Sequence, residues 1–236
     1  MAKRPVFIPE PDGPALVSTV LVDFEWFPGM ALSQAQKSID SLHVAASERL
    51  GVKAMLEISS KSKQDLGVKL SAFNLMIKTV KQERKFSVEC AYQASKVFER
   101  GGPFTDLLGK TSLEAKRDPR LNQYGRMTEF RFFGQSWPLE PRTAFYDWLY
   151  MNALYKHPTF ADEVLTYDAF TDIAFNPERS INCQAYAAAL YSSLVRRSIL
   201  DKPFLQDQER YLNTVKAMKV SNAHENTVVQ DRIGFD

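Results

Sequence analysis

The sequence predicts an α+β fold that is mainly helical, with a small β-sheet. Several segments have the length and apolar spacing of helices, at residues 33–50, 86–100, 142–157 and 182–200. Short runs rich in β-branched and aromatic residues predict strands at residues 17–27, 52–59 and 126–137. The motifs G-x-G-x-x-G, G-x-x-x-x-G-K-S/T and G-x-S-x-G are absent, so dinucleotide-binding, P-loop and serine-hydrolase folds lose their main support.

The N-terminal part predicts a strand, a helix and a second strand. The first fourteen residues contain four prolines and one glycine, which indicates an extended arm. Residues 17–27 predict a strand that Pro28-Gly29 ends, and residues 33–50 predict an amphipathic helix that ends at Gly51. Residues 52–59 predict the second strand. The turn that follows, residues 59–62 (SSKS), is typical of a solvated loop, although its hydroxyls, amine and backbone N–H groups also suit a phosphate.

The segment of residues 86–100 predicts the helix around which the chain is organised. Ser87 is placed to cap its first turn, where the helix dipole also favours the carboxylate of Glu89. At 3.6 residues per turn Glu89, Gln93 and Lys96 share one face, while the other face is apolar. Spacing alone favours an ordinary exposed helix with unrelated charges. A charged connection is expected before it at residues 81–85.

The second half of the chain predicts mainly helices. Gly101-Gly102-Pro103 ends the organising helix, and Ser112 is expected to cap a short helix after it. The aromatic residues of segment 126–137 alternate with arginines, which suits core packing and also base stacking beside a phosphate. We expect the remaining elements to be helices at residues 142–157, 160–165, 182–200 and 206–220, a loop at 168–181 and a polar, mobile tail at 221–236.

Composition limits the function classes. The 236 residues are 44% apolar and 25% charged with a net charge of +2, too little for a protein that coats nucleic acid. No apolar run is long enough to span a membrane, and the start lacks an apolar signal region, so we expect a cytoplasmic protein with reduced cysteines. The histidines lie far apart and outside metal-binding motifs, so we expect no metal and no cofactor.

The organising segment, SVECAYQASKVF at residues 87–98, resembles the signature helix of the NADAR family, the YbiA-like N-glycosidases. Three further segments resemble family motifs in the same order: LSAFNL at 70–75, SLEAKRDPR at 112–120 and, more loosely, SINCQAYAAALYSSLVRR at 180–197. The departures are Cys90 for the usual His, Ala72 for Asn, and Gln184 with Ala185 for Leu-Gly. The resemblance covers roughly residues 65–200 and is nearest to the branch found beside DarT-class DNA ADP-ribosyltransferase toxins.

The resemblance implies a YbiA/NADAR-like helical core and a specific activity. That activity is removal of ADP-ribose from guanine in DNA by hydrolysis of the N-glycosidic bond, as antitoxin to a DarT-class toxin. We therefore expect an N-terminal elaboration at residues 1–64 packed on the core, a catalytic domain at 65–200 and an appendage at 201–236. We also expect a monomer.

The expected site combines the residues and the resemblance. Cleavage of an N-glycosidic bond needs a negative or nucleophilic partner for the sugar and a proton for the leaving base, which a carboxylate and an amine in one pocket can supply. We expect Glu89, Lys96 and, by resemblance, Asp172 to be catalytic. The expected substrate-binding residues are Ser60, Lys61, Phe73, Asn74, Tyr92, Gln93, Gly102, Arg120, Trp137 and Asn182. Of these, the resemblance implies that Trp137 stacks on the substrate or forms a wall of its pocket. Gly102 is equally explained as a helix stop.

Two other functions remain open at the level of sequence. The same pocket can bind ADP-ribose or NAD without turnover, or the protein can neutralise the toxin by direct contact. A second enzymatic alternative is an N-glycosidase for a free small metabolite. The pairing of Glu89 with Lys96 favours an enzyme, because binding an anion does not need a carboxylate that faces it.

Overall fold

The computed structural model describes residues 1–79, 84–178 and 180–218 and has an α+β fold. The strands are β1 Ala2–Pro9, β2 Val17–Phe24, β3 Met55–Glu57, β4 Met76–Lys78, β5 Lys85–Ser87, β6 Lys96–Phe98, β7 Met127–Phe132, β8 Gln135–Trp137 and β9 Ala169–Thr171. The helices are α1 Leu32–Leu50, α2 Asp65–Lys69, α3 Val88–Ala94, α4 Ser112–Lys116, α5 Arg120–Gln123, α6 Ala144–Tyr155, α7 Pro158–Val164, α8 Gln184–Arg196, α9 Lys202–Gln206 and α10 Gln208–Ala217. A short 3₁₀ helix covers Thr105–Gly109.

A four-stranded sheet in the order β2-β1-β9-β3 corrects two predictions. The expected extended arm is strand β1, which pairs along its whole length with β2 but with β9 only at Val6 and Phe7. Its prolines therefore lie where one side of the strand is unpaired, a position that tolerates a residue without a backbone N–H. The expected loop at 168–181 contains strand β9, which is fully buried and runs parallel to β3. The sheet thus joins the N-terminal elements to the later part of the chain, while the division at residue 64 stays a prediction.

Helix α1 packs on this sheet and confirms the prediction for residues 33–50. Its buried face includes Ile39, Leu42 and Ala46, which form a small core with Val6 and Val22 of the strands. The helix ends at Gly51, whose left-handed backbone (φ 70°) donates its N–H to the carbonyl of Ser47. The predicted strands at 17–27 and 52–59 are confirmed in shorter form by β2 and β3.

The organising segment is a helix followed by a strand, which corrects the prediction of one continuous helix. Ser87 caps α3 as expected, because its Oγ accepts from the backbone N–H of Cys90 at 3.1 Å. The helix ends after Ala94, and Lys96 pairs with Phe130 as part of β6 in a three-stranded antiparallel sheet, β6-β7-β8. Ser95 lies at the junction and accepts from the N–H of Arg131. Lys96 therefore belongs to a different element from Glu89.

The main core lies between α3, α6, α8 and the β6-β7-β8 sheet. The strand-like prediction for residues 126–137 is confirmed by β7 and β8, and their buried aromatic rings stack on α6. Phe130 lies 4.7 Å from Phe145 between ring centroids, and Trp137 lies 4.5 Å from Trp148. The predicted helices at 142–157, 160–165 and 182–200 are confirmed by α6, α7 and α8. Core packing is thus the role of Phe130 and Trp137, whereas Phe133 of the same segment is exposed.

Three remaining predictions concern chain ends and caps. Thr111, not Ser112, caps α4 in a reciprocal capping box with Glu114, whereas Ser112 Oγ donates to the Phe73 carbonyl. The predicted helix at 206–220 is confirmed by α10 up to Ala217. The charged connection at 81–85 falls largely, and the tail at 221–236 wholly, outside the described residues. Within the described ranges no helix is long and apolar enough to cross a membrane.

Candidate active site

A cavity of about 480 Å³ opens between α3, β6, the end of β9 and the start of α8. Its volume is in the range of pockets that hold ligands of drug or nucleotide size, about 300–1,000 Å³. Its lining includes most of the residues that the sequence analysis selected: Ser60, Phe73, Glu89, Tyr92, Gln93, Lys96, Asp172 and Asn182. Segments that are more than 120 residues apart in sequence thus meet in one cavity.

Glu89 is fixed by the start of helix α3. Its backbone N–H donates to the carbonyl of Ala72 at 2.9 Å, and its Oε1 accepts from Gln93 Nε2 one turn later at 2.9 Å. The residue is 6% exposed, and it lies in the first turn, where the helix dipole favours a carboxylate. A buried carboxylate with one amide donor keeps oxygen lone pairs available to a ligand.

Lys96 reaches the same cavity from strand β6. Its Nζ lies 4.7 Å from the centroid of the Tyr92 ring, a cation–π contact. Burial lowers the pKa of Lys96 to about 8, with a smaller lowering from Lys116 and an opposing effect of Glu89. Lys96 therefore gives up its proton closer to neutral pH than an ordinary surface lysine does.

Asp172 follows strand β9 directly and is the second carboxylate of the cavity. Its Oδ1 accepts from the N–H groups of Ala174 and Phe175, and its Oδ2 accepts from Gln184 Nε2 at 3.0 Å. Burial, followed by the charge of Glu57, raises the pKa of Asp172 to about 7, although the three donors oppose this. Asp172 can therefore hold or release a proton near neutral pH, as a general acid requires.

The cavity wall also holds buried amide oxygens that have no partner in the described part of the chain. These are Gln93 Oε1 and Asn182 Oδ1, while Asn182 Nδ2 donates to the hydroxyl of Tyr92 at 2.6 Å. Burial raises the pKa of the Tyr92 phenol, so it stays neutral. Because a buried acceptor without a donor is unfavourable, both amides are placed to accept from a bound ligand or water.

Two of the expected binding residues lie away from the cavity, one in the aromatic core and one in ion pairs. Trp137 is 1% exposed and packs among the aromatic rings of the main core, so it does not stack on a substrate. Arg120 forms ion pairs with Asp106 and Asp118 and lies over the ring of Phe104. The candidate site therefore includes neither residue.

Three more expected binding residues also lie outside the lining. Asn74 is exposed and donates from Nδ2 to the carbonyl of Val68, and Lys61 is exposed beside the cavity residue Ser60. Gly102 has a left-handed backbone (φ 98°), and a Cβ there would lie 2.4 Å from the carbonyl oxygen of Lys96. Gly102 thus supports the position of Lys96 rather than binding a ligand.

The cavity includes residues that the sequence analysis did not select, among them Ser59, Lys116, Tyr146, Phe175 and Gln184. Lys116 belongs to the SLEAK segment and lies with its Nζ 5.3 Å from the ring of Phe73, so the motif itself was a signal. Gln184 accepts from the N–H of Ala72 and donates to the carbonyl of Ile58, which ties three cavity segments together. Its departure from the usual family Leu was the available signal.

The fold and site define an α+β protein with a ligand-sized cavity that holds two buried carboxylates and a half-buried amine, the groups of acid–base or covalent chemistry. The family of DarT1-associated NADAR antitoxins matches residues 2–225, and the chain belongs to this family. The NADAR family is associated with hydrolase activity, and its DarT1 branch with an antitoxin role and a DarT toxin as partner. No curated protein matches the chain in sequence.

Proposed function

We propose that this protein is an ADP-ribosylglycohydrolase that removes ADP-ribose from guanine bases in DNA and so reverses the modification made by a DarT-class toxin. The observation that supports it most is the meeting of Glu89, Lys96 and Asp172 in one cavity of about 480 Å³. Binding of ADP-ribose alone does not need two carboxylates and a lysine with a lowered pKa, whereas bond cleavage does.

The reaction breaks the bond between ribose C1 and a guanine nitrogen. The bonding electrons leave with the base, which must gain a proton, while positive charge develops at C1 and the ring oxygen. Asp172, with a pKa of about 7, donates the proton to the leaving base. Glu89 stabilises the positive charge and accepts a proton from the water that attacks C1. The products are ADP-ribose and unmodified guanine in the DNA.

Lys96 has two chemically distinct routes. As an ammonium it donates to a ribose oxygen beside Glu89. As a free amine it attacks C1 while the bond from C1 to guanine breaks, and its nitrogen loses a proton to Glu89; opening of the ribose ring then gives an imine that water later hydrolyses. Reduction with borohydride during turnover distinguishes the routes, because the second route leaves a covalent adduct on Lys96 and the first does not. Both routes depend on the lysine nitrogen, so Lys96→Met removes activity in either case.

Substrate binding follows from the remaining lining. Tyr92, Phe73 and Phe175 present rings, Gln93 and Asn182 present unpaired acceptors, and Ser60 with Lys116 provides donors for the diphosphate. The flanking DNA is held outside the cavity. We also propose that the protein acts as a monomer in the cytoplasm, where its DNA substrate and toxin partner lie, with residues 65–200 as the catalytic domain.

The test is release of ADP-ribose from a guanine-ADP-ribosylated oligonucleotide by the purified protein. We expect release by the wild type and a loss of at least about a hundredfold in Glu89→Gln and in Lys96→Met, since each removes a group that contacts the reacting atoms. Glu163→Gln and Lys37→Met make the same chemical changes at exposed positions outside the cavity and should leave the rate unchanged.

Other outcomes separate the alternatives. Tight binding of ADP-ribose by the protein, without its release from the oligonucleotide, would show a binding module and refute the proposed hydrolysis. Protection from the toxin by Glu89→Gln at the level of the wild type would show neutralisation by direct contact. Equal rates on free ADP-ribosylated guanosine and on the same adduct in DNA would favour a glycosidase for small metabolites.

A further inference from the structure

We propose that Glu57, a residue behind the cavity wall, is a positioning residue that keeps a proton on Asp172 for delivery to the leaving base. The inference rests on the proposed function and deepens it, because it assigns the origin of the transferred proton. Glu57 lies on strand β3 opposite Thr171, and Asp172 is the next residue along β9. Glu57 accepts hydrogen bonds from Thr171 and Ile173, the residues on either side of Asp172, and both carboxyls are buried, one in the cavity lining and one outside it.

Hydrogen bonds lock Glu57 in place. Its Oε1 accepts from the backbone N–H of Ile173 at 2.9 Å and from Ser59 Oγ at 2.7 Å, and its Oε2 accepts from Thr171 Oγ1 at 2.7 Å. Ser59 lines the cavity, so this bond joins Glu57 to the ligand side. A carboxylate with three donors is more ordered than packing alone requires.

A third group extends the chain of hydrogen bonds toward helix α1. His43 Nε2 lies 2.8 Å from Thr171 Oγ1, and the Thr171 hydroxyl already donates to Glu57, so His43 donates through Nε2–H. Burial lowers the pKa of His43 to about 4, against the attraction of Asp40, so the ring is neutral at pH 7. The result is a continuous chain, His43–Thr171–Glu57–Ser59, that ends at the cavity.

The surroundings contain little positive charge to stabilise two carboxylates. Arg4 on β1 is half-buried and donates from Nε to the carbonyl of Ile173; its positive charge attracts Asp172, although no ion pair joins the two among the described residues. The other titratable groups that face the pair are neutral at pH 7 because burial raises their pKa values: Tyr146, Tyr150 and Cys183.

Ionising both buried carboxyls would place two negative charges close together at a high cost in free energy, so the pair holds one proton at neutral pH. Burial raises the pKa of both carboxyls, and each accepts from three donors. Asp172 lines the cavity and Glu57 does not, so we assign the shared proton to Asp172 and the negative charge to Glu57. When Asp172 gives this proton to the base, Glu57 and the three donors of Asp172 adjust to the new charge. The products leave, and a proton from solvent restores the pair.

The test is the titration of Asp172 in Glu57→Gln. Glutamine fits the site, because its oxygen accepts from Ile173 N–H and its amide donates to Thr171, whose hydroxyl then turns to the other tautomer of His43. We expect the Asp172 carboxyl band in the infrared spectrum, identified by subtraction of Asp172→Asn, to titrate near pH 7 in the wild type. In Glu57→Gln it should titrate at least about one pH unit lower, since the like charge is gone.

Kinetics give the second readout. The limb of the kcat profile near pH 7 should move to lower pH in Glu57→Gln by the same amount, with KM changed less than about twofold, because Glu57 does not touch the ligand. Thr171→Val, which removes one donor to Glu57, should move both readouts in the same direction even if Glu57→Gln fails to fold. Glu163→Gln should move neither.

An Asp172 titration at the wild-type pH in both variants would overturn the inference, as would a uniform loss of kcat at all pH values. If the wild type releases no ADP-ribose, the proposed function fails, and the infrared titration still decides whether Glu57 controls the proton on Asp172. The two failures are therefore distinguishable.

Discussion

Replacing Gln184 by leucine removes the side chain that ties three parts of the cavity together. Gln184 is the first residue of α8, and its Oε1 accepts from the N–H of Ala72 at 2.7 Å. Its Nε2 donates to the Ile58 carbonyl at 2.6 Å and to Asp172 Oδ2 at 3.0 Å. Leucine is the residue usual at this position in the family motif that residues 180–197 resemble, but its side chain forms none of these hydrogen bonds.

The size of the effect follows from the partners left behind. Ala72, Ile58 and Asp172 are all buried, and an unsatisfied buried polar group costs about 1–3 kcal/mol. Gln184 itself is half-buried, so water reaches part of the site and the lower end applies. Three groups at about 1 kcal/mol each give a loss of about 3 kcal/mol in the free energy of unfolding. This is a large share of the free energy of unfolding of an ordinary domain, which is about 5–15 kcal/mol.

Urea denaturation followed by circular dichroism measures the loss directly. Gln123→Leu is the matched control, because Gln123 is exposed on α5, and its free energy of unfolding should change by less than about 0.5 kcal/mol. The loss of one donor should also raise the pKa of Asp172, since that bond favours its charged form. A Gln184→Leu loss below about 1 kcal/mol would refute the account of the three bonds.

Two further predictions concern backbone shape and a buried acid. Gly102→Ala should lower stability by about 1–3 kcal/mol and reduce ADP-ribose release, because the left-handed φ and the approach to the Lys96 carbonyl exclude a Cβ. A Cβ at Gly109 would meet open space, so Gly109→Ala is the control. An equal loss of stability in Gly109→Ala would contradict the steric reason given for Gly102. Burial raises the pKa of Asp147 to about 8, above its unfolded value, so its protonated form favours folding and stability falls as pH rises toward 8. Relative to wild type, Asp147→Asn should therefore gain about 1 kcal/mol per pH unit between pH 5 and 7 in urea titrations, and a constant difference would contradict the burial of an acid there.

Local sequence signals predicted the longer helices and some of their ends. Ser87 followed by Glu89 marks a helix start through contacts within one turn, and Gly51 marks a helix end through its own backbone freedom. Such features depend on neighbours in sequence, so they are readable without a structure. The same holds for the family, which four short segments of the sequence indicated in order and which the match over residues 2–225 shows.

Strand pairing was decided by the tertiary structure. Pro5 indicated an irregular arm, yet β1 is a strand because β2 and β9 supply its partners. Lys96 continued a helical pattern, yet it lies on β6 because Phe130 of β7 pairs with it. Three-residue strands have little propensity of their own, and non-local hydrogen bonds override the local preference.

For the candidate site, the sequence by itself determined which chemistry is available, and the structure decided which groups meet. Glu89, Lys96 and Asp172 were selectable by residue type and motif, and all three line the cavity. Trp137 and Arg120 were equally plausible by type, but the aromatic core and two aspartates engage them elsewhere. Glu57 gave no sequence signal, because its role depends on the pairing of β3 with β9, which brings a second carboxylate behind Asp172.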